Sequence, residues 1–454
     1  MKFGPILAWS RGRPQRYTLG PVLPILAALI LGTATACSPT TPTASSPSTG
    51  PNPTITVPYE MPVTIAITGI PDDQTLALLD EQIARFEQEN PDILVEVVKA
   101  PRTSSERHDA FAARLAEGDN TRDIYALDPI WLAEFEASGW LASLDEHAKQ
   151  HGLILSDFFS STLEANTISG RLIALPWAID GGLLYYRQDL LQEYGYKPPR
   201  TWLDLQQTAL DVKEKVGLPY GFVWQGVATD SLTCNTLESV WSYGGDVLDE
   251  DGNVAFDSPA TRTALQQMVD WLALGVSPPD VTTFEEEATL AAFEAGDAPL
   301  MRNSYFAWTR LNGSDSPLAG RAGLAPLPAS CLGGWSLALS PYSLHPEQAF
   351  RFMAFLVGHE QQLQVARLGV MPPALETVYR DPELLRELPF FRDLHVALAA
   401  THPRPQSPAY AGISEAIYTE VHKMLLGEQG VAATAENVQL RIEEILDDAT
   451  STGG

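Results

Sequence analysis

The chain has 454 residues, of which 57 are Asp or Glu and 29 are Lys or Arg, giving a formal net charge of −28. This length allows two or three domains with a sizeable core. The acidic balance argues against nucleic acid and anionic lipid headgroups as partners, because both are bound through basic patches. With only three Cys and 45% hydrophobic residues, the composition excludes disulfide scaffolds and disordered chains.

Residues 1–36 are predicted to be an export signal. A basic segment over 1–16 precedes an apolar run over 19–31 and a few small residues. Cys37 follows directly, which resembles a bacterial lipobox, where the cysteine is acylated and becomes the mature N-terminus. Ala34 stands where such sequences usually have Leu. The alternative is an uncleaved membrane helix, which two prolines and the shortness of the apolar run disfavour.

Residues 37–58 are predicted to be the acylated cysteine and a tether. Most of them are Ser, Thr, Pro, Gly and Asn, which bury too little apolar surface to offset the entropy of ordering the chain. In an oxidising compartment, a disulfide between Cys234 and Cys331 is the simplest expectation. Two separate buried thiols are the alternative.

The first part of the folded chain alternates strand patterns with helix patterns. Strands are predicted at 63–66, 93–98 and 123–127, and helices at 74–88 and around 111–115. Strands that alternate with helices of this length form parallel β-α-β units. The sequence therefore predicts an α/β fold.

Acidic residues stand at three strand exits: Asp72 and Asp73, Asp128, and Asp180. Ligands of open α/β sheets bind at the carboxyl ends of the strands, so these residues are candidates for a binding site. An aspartate in a turn also serves as a helix cap, which is the alternative function for each of them.

Beyond residue 190 the predicted helices become longer. The helices are expected at 202–216, 259–274, 284–295, 345–357 and 436–447, and strands at 298–302 and 335–339.

Motifs typical of catalysis and metal binding are weak. No nucleophile elbow, zinc-protease, phosphate-loop or Cys-x-x-Cys pattern is present. His147 and His151 have a spacing that could bind a metal, but no third ligand is near in sequence, which favours an exposed polar helix. Residues 249–253 resemble the start of a calcium loop, but the bidentate Glu is missing, which favours a hairpin turn. A pair formed by Asp128 and Asp180 could serve glycoside hydrolysis, although no motif favours it.

Six segments resemble, in the same order, the family 1 extracellular solute-binding proteins of ABC importers, specifically the trehalose/maltose-binding branch. Each segment alone is weakly specific, whereas six in order are strongly specific, and together they cover about residues 63–446. In chain order they are Asp128 to Leu141, Leu175 to Leu190 (LPWAIDGGLLYYRQDL), Gly221 to Gly226, Trp241 to Gly245, Leu332 to Ser340, and Pro403 to Pro405.

The resemblance implies an α/β clamp of two lobes, the type II periplasmic-binding-protein fold, with the ligand between the lobes. It places the crossings between lobes near 178–181, 331–335 and 379. The N-terminal lobe would then comprise 59–178 and 335–378, and the C-terminal lobe 181–332 and 380–450. A ligand that touches both lobes stabilises the closed form, which a membrane permease then recognises.

The resemblance also implies ligand-binding residues. Carboxylates and Arg bind vicinal sugar hydroxyls, and aromatic rings cover the apolar sugar faces. Asp128 and Asp180 match hydroxyl acceptors, Trp335 matches a stacking residue with Gly334 leaving room beside it, and Arg404 matches a donor. Asp73 and Arg107 match less closely. Close relatives often have Trp where this chain has Ser304, so Tyr305 or Phe306 is expected to supply that stacking face.

The sequence therefore predicts a non-enzymatic, lipid-anchored receptor, exported to the periplasm or the outer face of the membrane. It is expected to deliver a neutral di- or oligosaccharide or a glycoside (trehalose, maltose, sucrose or glucosylglycerol type) to an ABC permease. No cofactor, metal or nucleic acid is expected. The alternatives are a secreted glycoside hydrolase and a sugar-sensing binding protein.

Overall fold

The computed structural model describes residues 61–249 and 251–452. The predicted export signal, Cys37 and the tether lie outside the described residues. Within those two ranges, no helix is both long enough and apolar enough to cross a membrane.

The strands of the described residues form two main sheets and one small hairpin. In chain order they are β1 (Val63–Thr68), β2 (Ile93–Val98), β3 (Ile124–Leu127), β4 (Thr167–Ile168), β5 (Arg171–Leu172), β6 (Ala174–Gly181), β7 (Leu183–Arg187), β8 (Phe222–Val223), β9 (Leu300–Asn303), β10 (Ala322–Pro326), β11 (Ser330–Leu339) and β12 (Thr401–His402).

The helices surround these sheets. They are α1 (Asp73–Glu89), α2 (Ser104–Ala116), α3 (Leu132–Ala137), α4 (Asp145–Gln150), α5 (Ser160–Asn166), α6 (Gln188–Tyr194), α7 (Trp202–Val216), α8 (Asp230–Ser242), α9 (Pro259–Ala273), α10 (Glu286–Glu294), α11 (Phe306–Leu311), α12 (Pro346–Leu356), α13 (His359–Leu368), α14 (Pro382–Glu387), α15 (Phe391–Leu398), α16 (Tyr410–Leu425) and α17 (Val431–Thr452). Short 3-10 helices lie at Pro129–Trp131, Leu155–Asp157, Pro279–Thr283 and Glu376–Arg380.

Local sequence signals explain several helix ends. Asp72 accepts hydrogen bonds from the backbone N–H groups of Gln74 and Thr75 and so caps α1, which is the alternative function predicted for a turn aspartate. Thr201 caps α7 in the same way, and this helix ends at Gly217 in the left-handed conformation.

The first sheet has six strands and begins with the predicted parallel units. β1 pairs in parallel with β2 and with β3, so the chain forms β-α-β units through α1 and α2, which confirms the α/β prediction. β11 then runs antiparallel between β3 and β6, and its first residues pair with β12. We call the part of the protein built on this sheet the first lobe.

The second sheet has four strands in the order β10-β7-β9-β8 and forms the base of the second lobe. The chain crosses into it at Gly182, since β6 ends at Gly181 and β7 begins at Leu183. It returns between β10, which ends at Pro326, and β11, which begins at Ser330.

A third crossing follows β12. Strand β12 still belongs to the first sheet, whereas the next helix, α16, packs in a core of the second lobe. The sequence predicts a crossing near Tyr379. This residue packs against Phe391 of α15 in the largest hydrophobic core, which is not the core that contains α16. The predicted boundary between 332 and 335 falls inside the continuous strand β11. The residue limits of the two lobes stay a prediction.

In the part of the chain that the structure describes, three hydrophobic cores lie on the faces of the two sheets. Alternate residues of β3 face two different cores, as expected for a buried strand: Ile124 and Ala126 face one, and Tyr125 and Leu127 the other. The largest core also covers one face of the second sheet, through residues such as Met301. The remaining core lies on the opposite face of that sheet, together with α16 and α17.

Cys234 of α8 and Cys331 of β11 form a disulfide, with their Cα atoms 5.4 Å apart. The structure therefore has the predicted disulfide and not two separate buried thiols. The bond ties a helix of the second lobe to the beginning of a strand that continues into the first lobe.

The two weak metal-binding patterns have structural functions. His147 and His151 both contact Glu347 of α12, at 3.5 Å and 2.8 Å. Residues 249 and 253 belong to a turn, in which the Asp249 carboxylate accepts the backbone N–H of Asn253 at 2.8 Å. In the part of the chain that the structure describes, no group of three or more His, Cys, Asp and Glu side chains is arranged to hold a metal ion.

Candidate functional site

Arg404 lies between the two lobes and contacts a carboxylate on each side. It follows β12, and its Nη1 donates to Asp230 Oδ2 of α8 at 2.6 Å. Its Nη2 lies 3.4 Å from Asp128 Oδ1, directly after β3. Burial disfavours the charged guanidinium, but the two carboxylates help to raise the pKa of Arg404 above its usual value. Arg404 is therefore a permanent cation that joins the lobes.

Asp128 is held in place by its own turn. Its Oδ1 accepts the backbone N–H of Ile130 at 3.1 Å, at the start of the 3-10 helix Pro129–Trp131. Burial raises the pKa of the Asp128 carboxyl, while Arg404 and Arg107 act in the opposite direction. Asp128 therefore serves as a cap and as the ion-pair partner of Arg404.

Arg107 of α2 covers one face of the Trp335 ring. Its guanidinium carbon lies 5.0 Å from the ring centroid, which is cation–π geometry. The side chain also donates to the carbonyl oxygens of Gly69 and Arg102, at 3.4 Å and 3.2 Å. Arg107 is only 5% exposed, and burial lowers its pKa while Asp128 opposes this effect. At most one face of the Trp335 ring is thus open to a ligand.

Asp180 stands at the end of β6, next to the first crossing. Its Oδ1 accepts the backbone N–H of Gly181 at 2.7 Å and that of Tyr305 at 3.0 Å. Its Oδ2 receives no hydrogen bond from any of the described residues. Burial raises the pKa of Asp180 to about 6, from an ordinary value of 3.8. A carboxylate with one oxygen in use and the other free is suited to accept a ligand hydroxyl.

Gly334 is required by the backbone. Its φ of +123° lies in a region that L side chains rarely adopt, and a Cβ atom there would collide with the Ala178 carbonyl oxygen of β6. The resemblance implied that Gly334 leaves room for a ligand. In the structure, the close approach of β11 to β6 is the reason why a glycine is needed at this position.

Tyr305 and Phe306 differ in their surroundings. The Tyr305 ring is 3% exposed and packs in the large core, so this residue offers its backbone N–H to Asp180 and no stacking face. Burial of the ring raises the Tyr305 pKa above its usual value. Phe306 begins α11 and is only partly buried, so it is the one of the two expected to stack on a ligand.

Asp73 lies at the start of α1 and forms an ion pair with Arg102 at 3.2 Å. Both side chains are more than four-fifths exposed. An exposed pair of this kind contributes little to stability.

The structure thus brings Asp128, Arg107, Trp335 and Arg404 together through direct contacts or pairwise electrostatics. Asp180 is linked to this group through the sheet, because it pairs with Gly333 across β6 and β11.

Sequence reasoning missed Asp230. Its carboxylate accepts hydrogen bonds from Arg404, from the Tyr410 hydroxyl at 2.5 Å and from the Ser414 hydroxyl at 2.6 Å. Asp230 and Arg404 are 174 residues apart, so no local pattern links them. The only signal in the sequence is that Asp230 precedes Cys234 by one helical turn.

A buried ion pair beside the first crossing was also missed. Arg302 donates to Glu238 at 2.6 Å and 3.0 Å, and both side chains are at most 6% exposed. A Cβ atom on Gly182 would collide with the Glu238 carboxylate, which explains a glycine at this crossing.

A sequence model of one protein family, described as bacterial extracellular solute-binding protein, matches residues 72–363, which is more than half of the chain. The chain belongs to this family. This solute-binding protein is therefore an exported protein of a family of binding proteins, not of enzymes.

Individual relatives agree with the family. A probable ABC transporter-binding protein of Deinococcus radiodurans is 32% identical over 354 residues, which cover 73% of this solute-binding protein and 81% of that one. The solved structure of maltose-bound T. maritima MalE3 is similar with a TM-score of 0.74 and 37% identity, covering 84% and 99% of the two chains. MalE from Xanthomonas citri has a TM-score of 0.77 at 22% identity, covering 86% and 99%. The predicted two-lobed α/β clamp is confirmed.

Proposed function

We propose that this solute-binding protein captures a neutral di- or oligosaccharide, or a related glycoside, and delivers it to the permease of an ABC importer. The likeness to maltose-bound T. maritima MalE3, at 37% identity over almost the whole of that chain, supports a sugar. The name of the D. radiodurans relative supports the association with an ABC transporter.

The observation that carries the proposal is that the charges of the two buried arginines Arg404 and Arg107 are already opposed by carboxylates, although Arg107 Nε has no hydrogen-bond partner among the described residues. Arg404 is neutralised by Asp230 and Asp128, and Arg107 faces Asp128, two carbonyl oxygens and the Trp335 ring. A phosphate or carboxylate ligand needs a cation whose charge is not already opposed by a carboxylate, since burying an unpaired anion is costly. A neutral ligand with hydroxyl groups needs no such cation.

The carboxylates favour a polyhydroxylated ligand. Asp180 Oδ2 is available as an acceptor, and Asp128 Oδ1 accepts only a backbone N–H and a long contact from Arg404. Charge-assisted hydrogen bonds from hydroxyl groups to carboxylates are stronger than bonds between neutral groups. Together with the partly exposed Trp335 side chain, these groups fit the rim and the apolar face of a sugar ring.

A ligand between the lobes would stabilise the closed clamp by touching both of them. Arg404 is attached to the second lobe through Asp230 and reaches Asp128 of the first lobe, so it is placed to sense closure. We further propose that Cys37 is acylated and that residues 38–58 tether the receptor near its permease.

The first test is calorimetric titration of a soluble protein beginning after Cys37 with trehalose, maltose, sucrose and glucosylglycerol. Each mixture is also assayed for breakdown products. Saturable binding of an intact sugar is expected, and galacturonate and glucose 6-phosphate serve as anionic controls that should not bind. Breakdown of the sugar would instead indicate a glycoside hydrolase. Binding of only the anionic controls would contradict the proposal.

Trp335→Ala is expected to weaken binding of the sugar so identified by about 1–3 kcal/mol, because the exposed part of the ring would no longer cover the sugar. Calorimetry measures the change. Trp308→Ala is a suitable control, since that ring packs against Phe390 at 4.5 Å. Unchanged affinity in Trp335→Ala would remove Trp335 from the site.

A further inference from the structure

One face of helix α8 holds the segments that cross between the lobes. Asp230, Cys234 and Glu238 are spaced by four residues and therefore lie along one side of the helix. Asp230 binds Arg404, Cys234 is bonded to Cys331, and Glu238 accepts the backbone N–H of Cys331 at 3.1 Å. The three contacts fall in order along the helix.

The backbone next to Arg404 is fixed by the same helix. His402, two residues before Arg404, pairs with Cys331 in the sheet, and Cys331 is held to α8 by a disulfide and a hydrogen bond. The ring of Trp241, further along α8, lies 5.4 Å from the His402 ring. The position from which the Arg404 side chain extends is therefore set by α8.

The guanidinium of Arg404 is fixed by Asp230. Asp230 Oδ2 accepts from Arg404, while Oδ1 accepts from the hydroxyls of Tyr410 and Ser414, which hold the carboxylate itself in place. The guanidinium carbon also lies 5.7 Å from the Tyr410 ring centroid. In this arrangement Nη2 points to Asp128 of the first lobe.

We propose that Asp230 of the second lobe is a positioning residue of the binding site, which holds Arg404, in the third crossing, oriented toward Asp128 of the first lobe before a ligand binds. An arginine side chain has many rotamers, and ordering it only when the ligand arrives reduces affinity. Asp230 removes that cost by ordering the side chain in advance. The inference rests on the proposed function only in so far as Arg404 contacts the ligand.

The positioning itself is tested without any ligand, by NMR relaxation of the arginine Nε–H groups in the full soluble chain. The Arg404 signal, identified by its loss in Arg404→Ala, is expected to show a rigid side chain in the natural protein. It should become mobile in Asp230→Asn, which keeps the shape of the side chain, and more mobile in Asp230→Ala. Asp257→Asn is the matched control, because Asp257 forms a bidentate pair with Arg262 on the surface. This control should free Arg262 and leave Arg404 rigid.

The consequence for binding is tested by a double-mutant cycle with maltose. Asp230→Asn is expected to lower maltose affinity about 10-fold in the natural background and less than about 2-fold in the Arg404→Ala background. Equal losses in both backgrounds, or an Arg404 side chain equally rigid with and without Asp230, would overturn the proposal. If maltose does not bind the natural protein, the sugar assignment fails, and the relaxation measurement alone decides whether Asp230 positions Arg404.

Discussion

An Arg302→Met variant is expected to lose about 3–5 kcal/mol of the free energy of unfolding, because it leaves the Glu238 carboxylate buried without its cation. Glu238 is 1% and Arg302 6% exposed at the side chain, so water cannot replace the missing partner. Burial lowers the pKa of Arg302 and Glu238 raises it, with a net increase, so Arg302 stays charged. The loss is measured by urea denaturation.

The pair belongs to a network that a single substitution disrupts. Arg302 also donates to Gln225 Oε1 at 3.0 Å, and Glu238 also accepts from the backbone of Cys331. Replacing both charges, in Arg302→Met with Glu238→Gln, removes the unpaired charge and keeps an acceptor for Cys331. The double variant is therefore expected to regain a large part of the lost stability.

Arg310→Met provides the matched control. Arg310 lies 3.4 Å from Glu287, but both side chains are more than half exposed. Loss of such a pair is expected to change stability by less than about 1 kcal/mol. If Arg302→Met were no more destabilising than Arg310→Met, the buried ion pair would not exist in solution.

Asp180→Asn is expected to stabilise the protein at pH 7.5 while it lowers sugar affinity at least about 10-fold. The asparagine Oδ1 can still accept from Gly181 and Tyr305, so the backbone contacts are kept. The free carboxylate oxygen, however, becomes an amide nitrogen, which cannot accept a hydrogen bond from a ligand hydroxyl. Opposite effects on stability and affinity distinguish a binding residue from a structural one.

The sign of the stability effect follows from the pKa of Asp180, about 6 in the folded protein and 3.8 ordinarily. Between these pH values the folded protein keeps a proton that the unfolded chain has lost, so this group makes stability fall as pH rises. Above pH 6 the cost is about 1–3 kcal/mol. The difference in free energy of unfolding between Asp180→Asn and the natural protein should be small near pH 4 and reach that size by pH 7.5.

Denaturation by urea from pH 4 to 8, together with calorimetry of the sugar, measures both effects. Asp249→Asn is the control, since hydrogen bonds from Asn253 lower the pKa of that turn aspartate and the substitution should not stabilise the protein at neutral pH. A destabilised Asp180→Asn variant that binds sugar normally would show that Asp180 only holds the backbone.

The sequence predicted the regular elements well where one periodicity dominated. The helix at 202–216 has the predicted limits, and so does the strand at 93–98, because each has a continuous pattern bounded by turn residues. The strand predicted at 335–339 begins five residues earlier, at Ser330. Two glycines before Trp335 resemble a turn in sequence, but pairing with β6 keeps this segment extended.

The binding site was predicted only through the resemblance to a family, and its residues differ in what the structure shows of them. Asp128, Arg107, Trp335 and Arg404 lie together, although they are far apart along the chain. Tyr305, expected as a possible stacking residue, has its ring in the core. Whether an aromatic side chain faces a core or a cleft depends on how neighbouring elements pack, which a six-residue segment does not encode.

By itself, the sequence determined the fold class and the alternation of elements, because hydrophobic periodicity and capping are local properties. The residue types available to a sugar site came from the resemblance to a family. The tertiary structure alone decided the pairing of Arg404 with Asp230, the burial of Arg302 with Glu238, and the single free oxygen of Asp180. Each of these depends on contacts between residues 64 to 174 positions apart, or on the desolvation that such contacts produce. The strength and direction of an electrostatic interaction depend on distance and burial, and both are set only when distant segments pack.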